Sequence, residues 1–353
     1  MSTLKSVNLQ HPSSASPNIV LDSSGNATMA GTMAMATPFA IRNKIINGAM
    51  EIDQRNAGAS VTVTSDGTYG IDRWKYRTTL SSKFSVQRST VAPPGFTNSL
   101  LATSLAATTP GTNDYYAVEQ LIEGFNVADL SWGTVNARSV TLSFWVRSSL
   151  TGTFGGVIGN AAYNRSYPFT YSISSANTWE YKTVTIPGDT TGTWETGSST
   201  GIDLFFGLGV GSGQSGAAGS WAAAGRVSAT GAVNFVGTNG ATFYLTGVQL
   251  EVGSVATPFE RRLYGQELAL CQRYYVSDGA ELRTSIRSSN SVDRFGPWFF
   301  PVTMRAAPTV TGTATSGTFA ADDVSTFKAD LRITYTNTTD SGGIYNRKAS
   351  AEL

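Results

Sequence analysis

One histidine and one cysteine in 353 residues exclude more chemistry than any other feature of this sequence. Serine-type and cysteine-type nucleophilic enzymes, and most zinc enzymes, place at least one imidazole at the reacting centre. His11 lies in a Ser/Pro/Asn-rich leader and reads as a solvated tail residue or a contact inside an assembly, not as a catalytic group. Cys271 alone forms neither an intramolecular disulfide nor a metal–thiolate cluster, so stability rests on core burial, subunit association or both. Charge is scarce as well, at 14% of residues against about a quarter in ordinary globular chains. Lys and Arg number 25 and Asp and Glu 24, a net charge of +1, with no basic stripe; nucleic acid is not an expected partner. No stretch approaches the roughly 20 apolar residues that span a bilayer, so no membrane insertion is expected. Met1–Ser6 carries one Lys and no apolar run follows, so no secretory signal is expected and synthesis is cytoplasmic.

What is present reads as β structure. Thirty-seven Gly, 12 Pro and abundant Ser and Thr displace the i,i+4 charge pairs that support helices. Residues 1–40 are small and polar and cannot bury a core; they read as an extended arm, with Asn18–Asp22 alternating and Ser23–Asn26 a turn, ordered by a partner or by copies of itself. Residues 41–262 carry strand candidates separated by Gly, Asn, Ser and Pro clusters, among them Ser60–Thr64, Phe84–Gln87, Val118–Ile122, Val140–Val146, Tyr181–Ile186, Leu204–Val210 and Phe243–Val252. In Val140–Val146, alternation predicts Val140, Leu142, Phe144 and Val146 inward. In Tyr181–Ile186 it predicts Lys182, Val184 and Ile186 inward. Two such faces make a sandwich. Residues 263–276 form the best helix in the chain, and 277–353 return to strands, including Trp298–Val302 and Asp330–Tyr335. The expected fold is therefore all-β: an extended amino-terminal arm, a jelly-roll sandwich, one linking helix and a small carboxy-terminal β domain.

Catalysis without histidine would need two carboxylates about 5–9 Å apart, as in glycoside hydrolysis. Glu119 and Glu123 share a strand face but lie about 13 Å apart along it, and Asp322–Asp323 reads as a solvated turn. No 20–30-residue repeat builds a β-helix. Gly207–Gly213 lacks the Gly-Lys-Ser/Thr of a phosphate loop and reads as a close-packed or flexible loop. The chain reads as non-catalytic. For sugar binding, rings that stack on C–H faces must sit beside hydrogen-bonding groups. That combination singles out Tyr115, Tyr116, Tyr163, Arg165, Trp194 and Trp221 in the sandwich and Trp298 beyond it.

Several blocks resemble structural proteins of tailed bacteriophages. The leader Leu4–Asn26 is similar to the amino-terminal segments of tail fibres from marine and cyanobacterial phages. Ile41–Met50 with Tyr69–Trp74 resembles the opening of a jelly-roll module in such fibres, and the likeness continues through Gln120–Gly124, Val140–Ser148, Val248–Gly253, Leu270–Tyr275 and Met304–Thr309. The resemblance implies a homotrimeric tail fibre in the virion, made in the host cytoplasm. Its amino-terminal arm would join tail or baseplate proteins, and it would contribute to recognition of a host-surface glycan. A structural adaptor that touches no host, and a polysaccharide depolymerase, are the rival readings. The jelly roll is also similar to carbohydrate-binding modules that open with Asn47, Gly48, Met50 and Glu51 and carry a later Trp74. In many of those the early Glu helps hold a structural calcium, here Glu51. The second carboxylate is replaced by Thr246 or Gly247, which leaves few of the six to eight oxygens calcium takes.

Overall fold

The computed structural model describes residues 8–10, 13, 16, 19–21, 23, 27–29, 41–283, 292–335 and 343–353. His11 lies outside them. Two compact units are present, residues 1–41 and 42–353. In the first, three short strands, Asn8–Leu9, Ile19–Leu21 and Ala27–Met29, pair antiparallel in sequence order.

The second unit is built on two six-stranded antiparallel sheets. One runs, edge to edge, Glu180–Ile186, Val140–Ser148, Thr242–Val252, Ser99–Ser104, Phe84–Ser89 and Val61–Thr62. The other runs Ser166–Ile173, Gly152–Gly159, Thr200–Val210, Tyr115–Glu123, Lys75–Thr78 and Thr68–Tyr69. This is the all-β jelly-roll sandwich, and alternation sets its faces as the sequence predicts. Val140, Leu142, Phe144 and Val146 are fully buried, and Ile186 is buried while Tyr181, Thr183 and Thr185 are exposed. Phe144 is the aromatic pivot of the core, edge-on to Tyr171 at 4.9 Å and to Phe206 at 5.1 Å between ring centroids.

The strands Gly152–Gly159 and Ser166–Ile173 escape composition reading, since the first holds four glycines. Packing explains them. A Cβ on Gly156 would fall 2.4 Å from the Phe169 ring and from the Phe205 carbonyl oxygen, and one on Gly155 would meet Ser228 Oγ at 2.5 Å. Gly207 meets the same hydroxyl at 2.6 Å. The short strand Ser228–Ala229 thus lies directly over the second sheet where side chains are missing, and Gly207–Gly213 is the close-packed alternative, its first residues within Thr200–Val210.

The helix is Tyr264–Gln272, shorter at each end than the sequence suggests. Beyond it lie two small sheets with their own core of Trp298, Phe300, Met304, Leu331, Ile333 and Ile344. The strand there is Val292–Phe299; Phe300–Val302 lies beyond its end, with Phe300 turned into the core. Buried ions clamp this region to the sandwich. The fully buried Arg73 guanidinium lies 3.6 Å from the Tyr274 ring centroid, pairs with Glu352 and donates to the Leu121 carbonyl at 2.6 Å. Arg55 reaches the other Glu352 oxygen at 2.7 Å and stacks 3.4 Å from Tyr275. Glu123 accepts from Arg273 twice and from the Tyr274 hydroxyl at 2.6 Å.

Removing one member of a buried pair strands the other's charge, a loss of about 3 kcal/mol. Glu352→Ala leaves both Arg55 and Arg73 unpaired. Urea unfolding of this variant is expected to show a loss of that size, whereas removing the exposed Asp323 from the surface pair Lys328–Asp323 should leave the midpoint nearly unchanged.

Candidate functional site

The outer face of the second sheet follows from its register. Lys75 stands opposite Glu119, which stands opposite Phe205; Arg77 stands opposite Ala117; Leu121 stands opposite Asp203. These residues alternate with the core-facing Tyr76, Tyr116, Val118 and Leu204, so they share the surface away from the sandwich interior. A cleft of about 350 Å³ opens on this face, lined by Arg77, Tyr115, Tyr163, Phe205, Gln214, Gly225, Arg226 and Val227. Its volume falls in the range of small-ligand sites, about 300–1,000 Å³.

Arg77 organises the cleft. Its Nε donates to Asp66 at 2.9 Å, and its Nη1 donates to Glu119 Oε1 at 3.1 Å and to the Tyr163 hydroxyl at 3.1 Å. Burial works against the guanidinium charge, but Glu119 and Asp66 more than offset it and the proton is held more firmly than usual. Tyr163, in a left-handed backbone conformation at φ 51°, leans over the sheet with its ring 6.4 Å from Phe205 and remains 45% exposed. Gly225 makes that posture accessible, because any Cβ there would stand 2.4 Å from the Tyr163 carbonyl oxygen. Arg226 donates from Nη1 to the Gly213 carbonyl at 2.7 Å, while its buried Nε has no partner among the described residues.

Beneath Arg77 and Tyr163 lie two carboxylates from neighbouring strands. Glu119 and Asp203 are both at most 1% exposed. Burial, and then the charge of Glu119, push Asp203 up to about 8, and one of its oxygens has no hydrogen-bond partner. Glu119 is raised too, by burial, against the pull of Arg77 and Lys75. At neutral pH Asp203 therefore keeps its proton beside the Tyr163 hydroxyl. Both carboxylates are shut off from the cleft, so neither is placed to exchange a proton with a bound molecule.

The residues expected from sequence divide three ways. Tyr115 and Tyr163 line the cleft. Tyr116 does not: adjacent strand residues point oppositely, and its ring is fully buried, edge-on to Phe84 at 6.5 Å. That takes Tyr116 out of any ligand surface. Trp194, Trp221 and Arg165 gather at a different place, the loop end of the sandwich. There Trp132, Trp194 and Trp221 meet edge-on at 4.6–5.5 Å, with Tyr167 against Trp221. Their indole N–H groups are spent on the carbonyls of Arg138, Thr191 and Pro187, and Arg165 is held by two 2.7 Å bonds to Asp189. This cluster staples loops together. Trp298 is a core residue of the carboxy-terminal region, 8% exposed and edge-on to Phe300. Sequence reading missed Arg77, Phe205, Gln214 and Arg226; the available signal was charge alternating with apolar side chains in Lys75–Arg77.

Glu51 borders a second cavity, of about 300 Å³, with Glu260, Arg261, Arg262 and Glu267. The donors do not fit calcium. Glu260 is occupied by the Arg42 and Asn43 N–H groups, Glu267 by Asn47 N–H and Arg262, and two guanidinium groups share the space. Thr246 Oγ1 donates to the Asn98 carbonyl. No group of three acidic, His or Cys side chains able to hold a metal occurs among the described residues.

No protein-family model matches the chain, and no curated protein matches it. Among solved structures it is similar to the enzymatically active domain of tailspike protein 4 of bacteriophage CBA120 at 14% identity and a TM-score of 0.31, covering 54% of this chain and 21% of that one. It thus spans about a fifth of that tailspike domain. It is also similar to a putative sugar-binding protein from Bacteroides thetaiotaomicron (12% identity, TM-score 0.36, 60% and 100% covered). A third is a family 61 carbohydrate-binding module solved with β-1,4-galactotriose (10% identity, TM-score 0.30, 60% and 100% covered). The reading of the cleft rests on its own residues.

Asp203 gives that geometry a pH signature. The unfolded carboxyl releases its proton near pH 3.9 and the folded one near 8, so over that interval the folded state binds more protons and stability falls as pH rises. Urea midpoints of the wild type are expected to decline between about pH 6.5 and 9, beyond the titration of Asp72 at about 6. Asp203→Asn should flatten that decline.

Proposed function

We propose that this chain is a non-catalytic glycan-binding protein of a phage tail fibre and that the cleft on the second sheet is where the glycan lies. The observation that carries the reading is the composition of the cleft. Tyr115 and Tyr163 offer ring faces over a floor formed by the buried Phe205, while Gln214, Arg226 and the Tyr163 hydroxyl offer hydrogen-bonding groups within the same 350 Å³. A pyranose presents C–H faces and a rim of hydroxyls, and this pairing of surfaces complements both. The sealed carboxylate pair supports binding without bond cleavage, since a hydrolase needs both carboxyl groups against the scissile bond.

The fibre assignment rests on the ordered sequence blocks of the arm, the sandwich and the region after the helix. In this reading the arm joins tail or baseplate proteins, three chains associate, and the assembled virion presents many clefts at once. Avidity is the reason for that arrangement, because a second cleft tethered near the first binds at an effective concentration far above that of free protein.

Affinity gels with host-cell polysaccharide test the cleft. Tyr163→Ala and Arg226→Gln are each expected to weaken binding about tenfold, equivalent to about 1.4 kcal/mol. Trp194→Ala should lower the melting temperature and leave affinity unchanged. Light scattering should give a mass near three times 37.3 kDa. Cleft variants that bind as the wild type does would remove the cleft from the site, and a trimer that ignores both cells and polysaccharide would leave a structural adaptor.

A further inference from the structure

The opposite sheet carries a second aromatic surface with a different chemistry. Trp145 stands opposite Tyr181 on one neighbouring strand and Thr246 on the other, and Arg147 stands opposite Tyr244. Trp145 and Arg147 alternate with the buried Phe144 and Val146, and Tyr244 with the buried Phe243 and Leu245, so that these side chains and the exposed Tyr181 face away from the core. Trp145 and Tyr181 lie 5.4 Å apart, Trp179 and Tyr244 5.9 Å apart, and the Arg147 guanidinium 5.1 Å from the Tyr244 centroid. Gly247, at φ 62°, extends the surface: a Cβ there would sit 2.7 Å from Phe96 and 3.1 Å from Trp145, so its absence lets Phe96 lie beside the indole.

Two features separate this surface from packing aromatics. The indoles of Trp132, Trp194 and Trp221 all donate to backbone carbonyls. Among the described residues the indole N–H of neither Trp145 nor Trp179 donates to a group of the chain, and both side chains are half-buried. The second feature is Arg147. Arg77, Arg165 and Arg273 each face a carboxylate. Arg147 is half-buried among rings with no ion pair among the described residues, and its Nε is buried without a partner. Glu180, opposite Val146 on the neighbouring strand, is already engaged, by Lys182 at 2.6 Å and by the Ser174 and Ser175 N–H groups. A partly desolvated cation without a counter-charge is costly, and a ligand anion relieves that cost.

We propose that the outer face of the Val140–Ser148 sheet is a second carbohydrate-binding surface, specific for acidic polysaccharide. Sugar rings stack on Trp145 and Tyr181, and a uronate carboxylate pairs with Arg147. The surface lies on the opposite side of the sandwich from the cleft, and the proposal stands or falls independently of it.

The test is affinity electrophoresis and titration calorimetry of the full chain with polygalacturonate, and with dextran as the uncharged comparison. Wild-type protein should bind polygalacturonate, more weakly as salt rises, and dextran at least tenfold less tightly. Arg147→Gln should cost at least tenfold and abolish the salt dependence, whereas Tyr163→Ala, which weakens binding in the cleft, should leave the affinity for polygalacturonate at the wild-type value. Trp145→Ala should cost as much, with Tyr181→Ala at the exposed edge as the substitute should Trp145→Ala fail to fold. Unchanged polygalacturonate binding in Arg147→Gln, or no binding by the wild type, overturns the proposal. So does a fall from oligomer to monomer in Trp145→Ala, which would make the surface a subunit contact.

Discussion

The ion pair between Arg77 and Glu119 is the interaction on which the functional face depends. A carboxylate at position 119, in a central strand and closed to water, would be untenable alone. Arg77 on the adjacent strand neutralises it, and the geometry of that pairing fixes everything above. The guanidinium spans from Asp66 to Glu119 to the Tyr163 hydroxyl. It therefore sets the floor of the cleft and the height at which the Tyr163 ring stands over Phe205. Asp203 completes the arrangement by staying protonated, so that two buried acids next to one another carry a single charge.

Glycine sets the other half of the geometry. Gly155, Gly156 and Gly207 leave a shallow channel in the sheet where Ser228 and Ala229 settle, and Gly225 allows the chain to pass against Tyr163. The cleft is thus bounded by the edge of a short strand that could not approach a sheet of ordinary side chains. On the opposite sheet, Gly247 plays the same part for Phe96 and Trp145. Missing Cβ atoms, more than loop length, decide where surface features sit.

The tryptophans fall into two physically different settings. Trp132, Trp194 and Trp221 spend their N–H groups on carbonyls and their faces on one another, which ties the ends of three loops together. Trp145 and Trp179 face outward, beside an arginine with no counter-ion.

Alternation over Val140–Val146 and Tyr181–Ile186, the turn clusters between strands and the helical spacing after Pro258 determined the all-β class, the inward faces and the single helix. Those features are local, set by side-chain period along one strand or one turn of helix. Tyr115 and Tyr163 stood out on equally local grounds, as rings beside hydrogen-bonding neighbours in sequence. What required the tertiary structure was every relation between strands distant in sequence. Tyr116 looked like its neighbour Tyr115 until register turned it inward. Glu119 lies too far along its strand from Glu123 to pair with it, and the groups it does meet are Arg77, 42 residues away, and Asp203. Trp194, Trp221 and Arg165 came together at the loop end, away from the cleft, and Glu51 met arginines instead of further carboxylates. Register and sheet order are collective properties of the packed chain. No single segment encodes which residue will lie across from it.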